Sequence, residues 1–132
     1  MSNIVFTNGC FDIIHRGHIE LLKFCKSIGD RVIVGLNSDC SVKRLKGEAR
    51  PINSQDDRSQ ILKSIKYVDE VIIFEEDTPL MLIKQVQPDI IVKGGDYQKE
   101  DVVGKGIAEV IIFETIDGYS TTKTIQDIGL GR

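Results

Sequence analysis

The run Asn3-Ile-Val-Phe-Thr7, continued without a break by Asn8-Gly-Cys-Phe-Asp-Ile-Ile-His15-Arg-Gly-His18, decides how this chain folds. Asn3–Thr7 is short and β-rich with a continuous apolar centre, as a strand covered on both faces requires. From Gly17 to Ile28 the apolar positions Ile19, Leu22, Cys25 and Ile28 recur every three residues, which predicts a helix, and Gly29 is read as its stop. A buried strand that passes through a glycine-bearing turn into a helix opens a parallel βαβ unit. The turn carries both histidines of the chain, three residues apart, where that helix begins.

Outward from this junction the same alternation continues. Arg31–Leu36 is a second apolar run, and the polar, basic, non-periodic stretch 38–53 reads as a loop with no more than a short helical turn. Ser54 reads as an N-cap with Asp56 and Asp57 in the first turn of a helix through Ile61, Leu62 and Ile65. Val71–Phe74 is a third strand; Thr78 then caps a helix with Pro79 at its first position and Leu80, Leu82, Ile83 and Val86 inside. Asp89–Val92 and Val110–Phe113 are strands four and five, and Ser120 or Thr121 caps a last helix carrying Ile125 and Ile128. The expectation is an α/β fold: a Rossmann-like, doubly wound, five-stranded parallel sheet with helices on both faces, residues 1–132 forming one domain. In such sheets ligands bind beyond the carboxyl ends of the strands, where the strand order reverses.

Composition narrows the function. A chain of 132 residues, 41% hydrophobic and 28% charged, has the balance of a globular domain. A net charge of -3 argues against a nucleic-acid partner. Cys10, Cys25 and Cys40 are odd in number and lack a C-x-x-C spacing, which fits free thiols in a reducing compartment. No apolar run approaches the roughly 20 residues of a membrane span, and the amino terminus lacks the pattern of a signal peptide. The expected location is the cytoplasm, with no membrane partner.

The start of a helix offers unpaired N–H groups and the positive end of the helix dipole, a natural seat for an anion. Two imidazoles there add donors for a polyphosphate, and Gly9 and Gly17 let the backbone approach it. Two plainer readings compete: half of a metal site, although the chain offers no further histidine and no cysteine pair, or a cap and a packed side chain. Lys43, Arg44, Lys46 and Arg50 face only Glu48 in sequence, which suits either a phosphate-binding cluster or a solvated loop.

Gly9-Cys-Phe-Asp-Ile-Ile-His-Arg-Gly-His18 resembles the G-x-F-D-x-x-H-x-G-H signature of the cytidylyltransferase-like nucleotidyltransferases. Further segments resemble the adenylyltransferase domain of ADP-heptose synthases: Gly35–Asp39, Ser41–Gly47 with Arg50-Pro51, Val68-Asp69, Glu75–Pro79, Val92–Tyr97 and Gly118–Thr122. That family activates D-glycero-β-D-manno-heptose 1-phosphate with ATP. In many bacteria the domain is fused to a sugar kinase, and this chain resembles the stand-alone form. The resemblance implies transfer of AMP to a sugar phosphate with release of pyrophosphate, Mg²⁺ held mainly by the nucleotide's own phosphates, and a homodimer with Val68–Glu70 near its interface.

Carried over residue by residue, the resemblance makes His15, His18 and Lys46 catalytic. It assigns nucleotide contacts to Asn8, Gly9, Cys10, Phe11, Gly17, Lys93, Gly94, Asp96, Tyr97, Ser120, Thr121 and Thr122. The acceptor phosphate falls to Asp12, Asn37, Asp39, Lys46 and Arg50, while Arg58 serves either the site or an ion pair. Two departures bear on the acceptor. Thr115-Ile-Asp-Gly118 lacks the arginine that glycerol-phosphate cytidylyltransferases carry ahead of their Ser-Thr-Thr, and Val103–Ile107 runs almost directly into the last strand. A cytidylyltransferase acting on an alditol or aminoalcohol phosphate, and a catalytically silent nucleotide-binding module, are the alternative readings.

Overall fold

The computed structural model describes residues 3–95 and 98–114. Five strands, β1 (Ile4–Gly9), β2 (Arg31–Asn37), β3 (Glu70–Phe74), β4 (Ile90–Gly94) and β5 (Glu109–Phe113), form one parallel sheet in the order β3-β2-β1-β4-β5. The order therefore reverses between β1 and β4. Val5 lies opposite Val32 on one side and Ile90 on the other. β1 and β4 pair only through Val5–Ile90 and Phe6–Ile91, whereas β1 and β2 stay paired to Gly9–Leu36. Beyond Phe6 the two strands part, and this parting opens a crevice at the switch point.

Side chains along each strand alternate between two apolar layers. Val5, Val32, Val34 and Val92 join the layer beneath α1 (Arg16–Ile28) and α3 (Gln55–Lys63), with Leu22, Cys25 and Leu62. Phe6, Ile33, Ile91 and Val110 join the opposite layer with Leu82 and Ile83 of α4 (Leu80–Val86) and with Val102. Helices cover both faces, so the inner strands read as unbroken apolar runs instead of alternating ones.

The structure corrects three local expectations. Within stretch 38–53 lies an eight-residue helix, α2 (Asp39–Lys46), with Ser38 as its cap accepting from the Ser41 N–H at 3.2 Å. Its buried residues are only Ser41 and Val42, too narrow a stripe to print a 3.6-residue period on the sequence. Gly47 ends it at φ 106°, a conformation suited to glycine. Gly29, by contrast, is extended (φ −148°), so it is not a left-handed stop. A Cβ there would lie 2.3 Å from Val5 Cγ2, and the glycine is needed because α1 ends hard against β1. The third correction concerns α4: Pro79 is its N-cap, the helix starts at Leu80, and no side chain caps it, Thr78 included. Ser54 caps α3 as its sequence indicates, accepting from the Asp57 N–H at 3.2 Å. The expected last helix falls outside the described residues.

Candidate active site

β1 ends at Gly9, and the chain turns sharply into α1. Phe11 adopts φ 46°, a left-handed conformation that costs a non-glycine residue energy. Its ring is 5% exposed in the α1-side core, with its centroid 5.2 Å from that of His18, and this burial offsets the strain. A Cβ at position 9 would meet the Phe11 ring at 3.1 Å, so the turn closes because residue 9 is glycine.

The two histidines form the cap of α1. His15 is the N-cap, its Nδ1 accepting from the Gly17 N–H at 3.0 Å. His18 Nδ1 reaches back to accept from the His15 N–H at 3.1 Å. This is a capping box built from imidazoles in place of the usual hydroxyl and carboxylate. A ring nitrogen that accepts an N–H cannot carry a proton, so each Nε2 holds the hydrogen and each ring is neutral. The rings stack with centroids 3.9 Å apart and planes at 30°. Burial lowers the pKa of His15 below 6.5; burial and the neighbouring His15 push that of His18 down to about 4. At neutral pH the helix thus presents two fixed, uncharged donors, without the repulsion that two stacked cations would suffer.

Positive charge comes from other elements. Lys46 is the last residue of α2, Lys93 lies on β4, and Arg50 follows α2 in the loop to α3. Arg50 Nε donates to Asp12 Oδ2 at 2.9 Å, and the same buried carboxylate accepts from the N–H groups of Ile52 (2.8 Å) and Asn53 (2.9 Å). Asn53 Nδ2 also donates to the Asp12 carbonyl at 3.0 Å. Burial alone would raise the pKa of Asp12, but these donors outweigh it and hold the carboxyl below its ordinary value. Asp12 therefore staples the Arg50 loop to the histidine turn. Burial holds Lys93 below the usual lysine range, with the charge of Lys46 adding to it. Burial raises the Cys10 thiol despite nearby Lys46, Arg58 and Arg50, so it is protonated at neutral pH.

Arg58 of α3 is wholly buried. Its guanidinium donates to the carbonyls of Asn53 (3.0 Å), Cys10 (2.8 Å) and Asn37 (2.8 Å) and to Asp39 Oδ1 (2.9 Å). Asn37 Nδ2 in turn donates to Ser41 Oγ at 3.0 Å.

A cavity of about 660 Å³ runs over the carboxyl ends of the strands. Of the residues singled out in the sequence, Asn8, Gly9, Cys10, Phe11, Asp12, His15, Gly17, His18, Asn37, Lys46, Arg50, Lys93 and Gly94 line it. Asp39 does not: its carboxylate faces Arg58 at the start of α2. Asp96, Tyr97, Ser120, Thr121 and Thr122 lie outside the described residues. Sequence reasoning gave no place in the site to Leu45, Asp77, Thr78, Pro79, Asp101 and Val102, which also line the cavity. For Asp77–Pro79 a signal was present, because they follow the carboxyl end of β3. Arg44 Nε holds Asp77 Oδ1 at 2.8 Å, and Ser41 Oγ donates to the Glu76 carbonyl at 3.1 Å, so α2 fixes this turn. Among the described residues no group of three histidine, cysteine, aspartate or glutamate side chains is placed to hold a metal ion.

Residues 6–127 match the profile of the cytidylyltransferase-like family. The chain belongs to that family. As a cytidylyltransferase-like protein it is a nucleotidyltransferase, and the neutral donors and clustered cations on the strand ends are the chemistry such a reaction needs. It is 59% identical over 128 residues to the bifunctional protein HldE of Aliarcobacter butzleri, covering 96% of this chain and 27% of the relative. Over the same length it is 54% identical to HldE of Helicobacter pylori, covering 96% and 28%. The chain thus spans little more than a quarter of these relatives. A lipopolysaccharide core biosynthesis protein of Thermoplasma volcanium superposes with a TM-score of 0.73 at 30% identity, covering 91% of this chain and all of that one. Pantoate-β-alanine ligase of Francisella tularensis, complexed with β-γ ATP and β-alanine, gives 0.69 at 20% identity over 98% of this chain and 69% of its own, a likeness of fold alone. No helix among the described residues is long and apolar enough to cross a membrane.

Proposed function

We propose that this nucleotidyltransferase moves AMP from ATP to the phosphate of a sugar 1-phosphate, D-glycero-D-manno-heptose 1-phosphate, and releases pyrophosphate. The observation that carries the reading is the neutral, tautomer-locked His15/His18 pair sharing one crevice with Lys46, Arg50 and Lys93. The segments that resemble the adenylyltransferase domain of ADP-heptose synthases, with the high identity to bifunctional HldE proteins over nearly the whole chain, support the nucleotide and the sugar.

An acceptor phosphate is already an anion at neutral pH, so its oxygen needs no general base. It attacks the α-phosphorus in line; the new P–O bond forms as the bond to pyrophosphate breaks. Catalysis reduces to alignment and neutralisation of charge. The Nε2 hydrogens of His15 and His18 bond the triphosphate, Lys46 bridges the two reacting phosphates, and Arg50 holds the acceptor's. The same reading gives Ser120, Thr121 and Thr122 to the β- and γ-phosphates and Asp96 and Tyr97 to the nucleoside. Asp12 and Asp39 act on the acceptor side through Arg50 and Arg58, because their carboxylates are already occupied. On this reading Mg²⁺ would come with the nucleotide, held mainly by its phosphate oxygens.

The family's cytidylyl chemistry favours one competing reading, CTP with an alditol or aminoalcohol phosphate. The test is pyrophosphate release with Mg²⁺ from ATP, CTP, GTP and UTP, each crossed with heptose 1-phosphate, glycerol 3-phosphate and hexose 1-phosphates. Release confined to ATP with heptose 1-phosphate is expected. Release with CTP and glycerol 3-phosphate instead would keep the mechanism and discard the substrates. The reading also includes a homodimer, which sedimentation of the purified chain checks.

A further inference from the structure

Lys93 of β4 apart, three segments supply the cations and imidazole donors of the crevice: the turn from β1 into α1, helix α2 and the loop that follows it. All three meet at one residue that does not line the crevice. Arg58 is 0% exposed, and its three guanidinium nitrogens reach four acceptors. Cys10 O belongs to the histidine turn and Asn37 O to the end of β2. Asp39 Oδ1 is on the first residue of α2, whose last residue is Lys46. Asn53 O closes the loop that bears Arg50, and the N–H of the same residue donates to the Asp12 carboxylate.

A buried arginine is costly to desolvate, and removing its charge partner costs still more. A residue needed only to fill space beneath the sheet would be apolar. Here the planar fork matches acceptors in fixed directions, which lysine, a single flexible ammonium, cannot do. The segments joined are also the ones that must be in register for an in-line transfer. His15 and His18 stand on the nucleotide side, at the switch point between β1 and β4. Lys46 and Arg50 stand on the acceptor side, over β2. Arg50 to Asp12 is a direct side-chain bond between the two sides.

We infer that Arg58 is a positioning residue for the transfer step: it sets the separation and angle between the histidine donors and the acceptor-side cations without touching either substrate. This deepens, and rests on, the reading of the site as a phosphate-to-phosphate nucleotidyltransferase. It makes a distinction that a purely structural role does not. Each substrate binds mainly to one side, so loosening the clamp leaves each single affinity nearly intact. The reaction needs both sides aligned, and a misplacement of about 1 Å can cost on the order of 10²-fold in rate.

The test uses Arg58→Lys and the milder Asp39→Asn, which removes the charge from one of the four acceptors. Folding is followed by circular dichroism and thermal melting, ATP affinity by calorimetry, and kcat and KM by pyrophosphate release with ATP and heptose 1-phosphate. For Arg58→Lys we expect a folded protein with ATP affinity within about threefold of the parent and kcat lower by roughly 10²-fold. Asp39→Asn should lie between that variant and the parent. If Arg58→Lys does not fold, Asp39→Asn carries the test, with kcat falling about tenfold at unchanged ATP affinity. The inference is overturned if kcat stays within threefold of the parent in whichever variant carries the test. It is overturned equally if ATP affinity and kcat fall together, as general loosening of the core would produce. If the parent protein releases no pyrophosphate with any acceptor, the functional reading fails and the inference with it. A parent that turns over beside a variant with unchanged kcat refutes the inference alone.

Discussion

The two sides of the crevice are built on opposite principles. The histidine side is held locally: His15 bonds Gly17 two residues away, and His18 bonds His15 three residues away. The side bearing Lys46 and Arg50 is held at long range, Arg50 to Asp12 across 38 residues, Asn53 to Asp12 across 41 and Arg58 to Cys10 across 48. A local device depends on one helix start and survives small shifts elsewhere. A long-range device exists only when the whole sheet edge is assembled. The difference teaches that the donors are preset by sequence-near geometry, while the cations are placed by the fold.

The largest expected effect breaks the local side. His18→Ala removes half of the cap and, on the proposed mechanism, one transition-state donor, and should lower kcat by on the order of 10²-fold or more while the protein stays folded. Turnover assays beside thermal melts check this, and near-normal turnover would remove His18 from the mechanism. Next, Asp12→Asn strikes the long-range side by removing the charge that holds Arg50. We expect a loss of roughly 2 kcal/mol in urea unfolding and a KM for the acceptor phosphate raised about tenfold, with ATP affinity little changed. An equal effect on both substrates would show that Asp12 serves the histidine turn as much as the loop.

Acid separates the two sides in a single titration. The His18 pKa is lowered in the folded state to about 4, from 6.5. Between these values the unfolded chain binds a proton that the folded chain refuses, so stability present above pH 6.5 is lost as the pH falls towards 4. The slope from this group approaches 1.4 kcal/mol per pH unit inside that window. Asp12, also held below its ordinary value of 3.8, contributes its own loss only under more acid conditions. Urea midpoints from pH 8 to 3 should show the histidine step before the carboxylate step, and His18→Ala should shrink the upper one to what His15, also held below 6.5 by burial, contributes. The smallest effect is a control: Ser54→Ala removes a cap of α3 that lies on neither side. It should cost about 1 kcal/mol and leave kcat unaltered.

Much of the fold was legible because its signals are local. The strand–turn–helix at residues 3–28 is written in consecutive residues, as is the cap at Ser54, and the apolar runs announced a doubly covered parallel sheet. Helix α2 was not legible, because a helix of eight residues with two buried positions leaves almost no period. Gly29 read as a helix stop, but its reason is the approach of Val5, a contact no spacing encodes. In the site, His15, His18, Lys46 and Arg50 stood out by chemistry and grouping, whereas the pairing of Asp39 with Arg58, away from the cavity lining, had no local signal.

The sequence by itself determined the parallel sheet, the histidine pair at a helix start and the basic cluster after β2, since each depends on residue types within a few positions of one another. Tertiary structure alone decided that Asp12 and Arg58 bond the loop after α2 and the start of α2 to the histidine turn, and that β1 and β4 part beyond Phe6 to open the crevice. The physical reason is distance along the chain. A hydrogen bond across 38 or 48 residues has no local signature, because its geometry is set only after the sheet has paired and both apolar layers have closed.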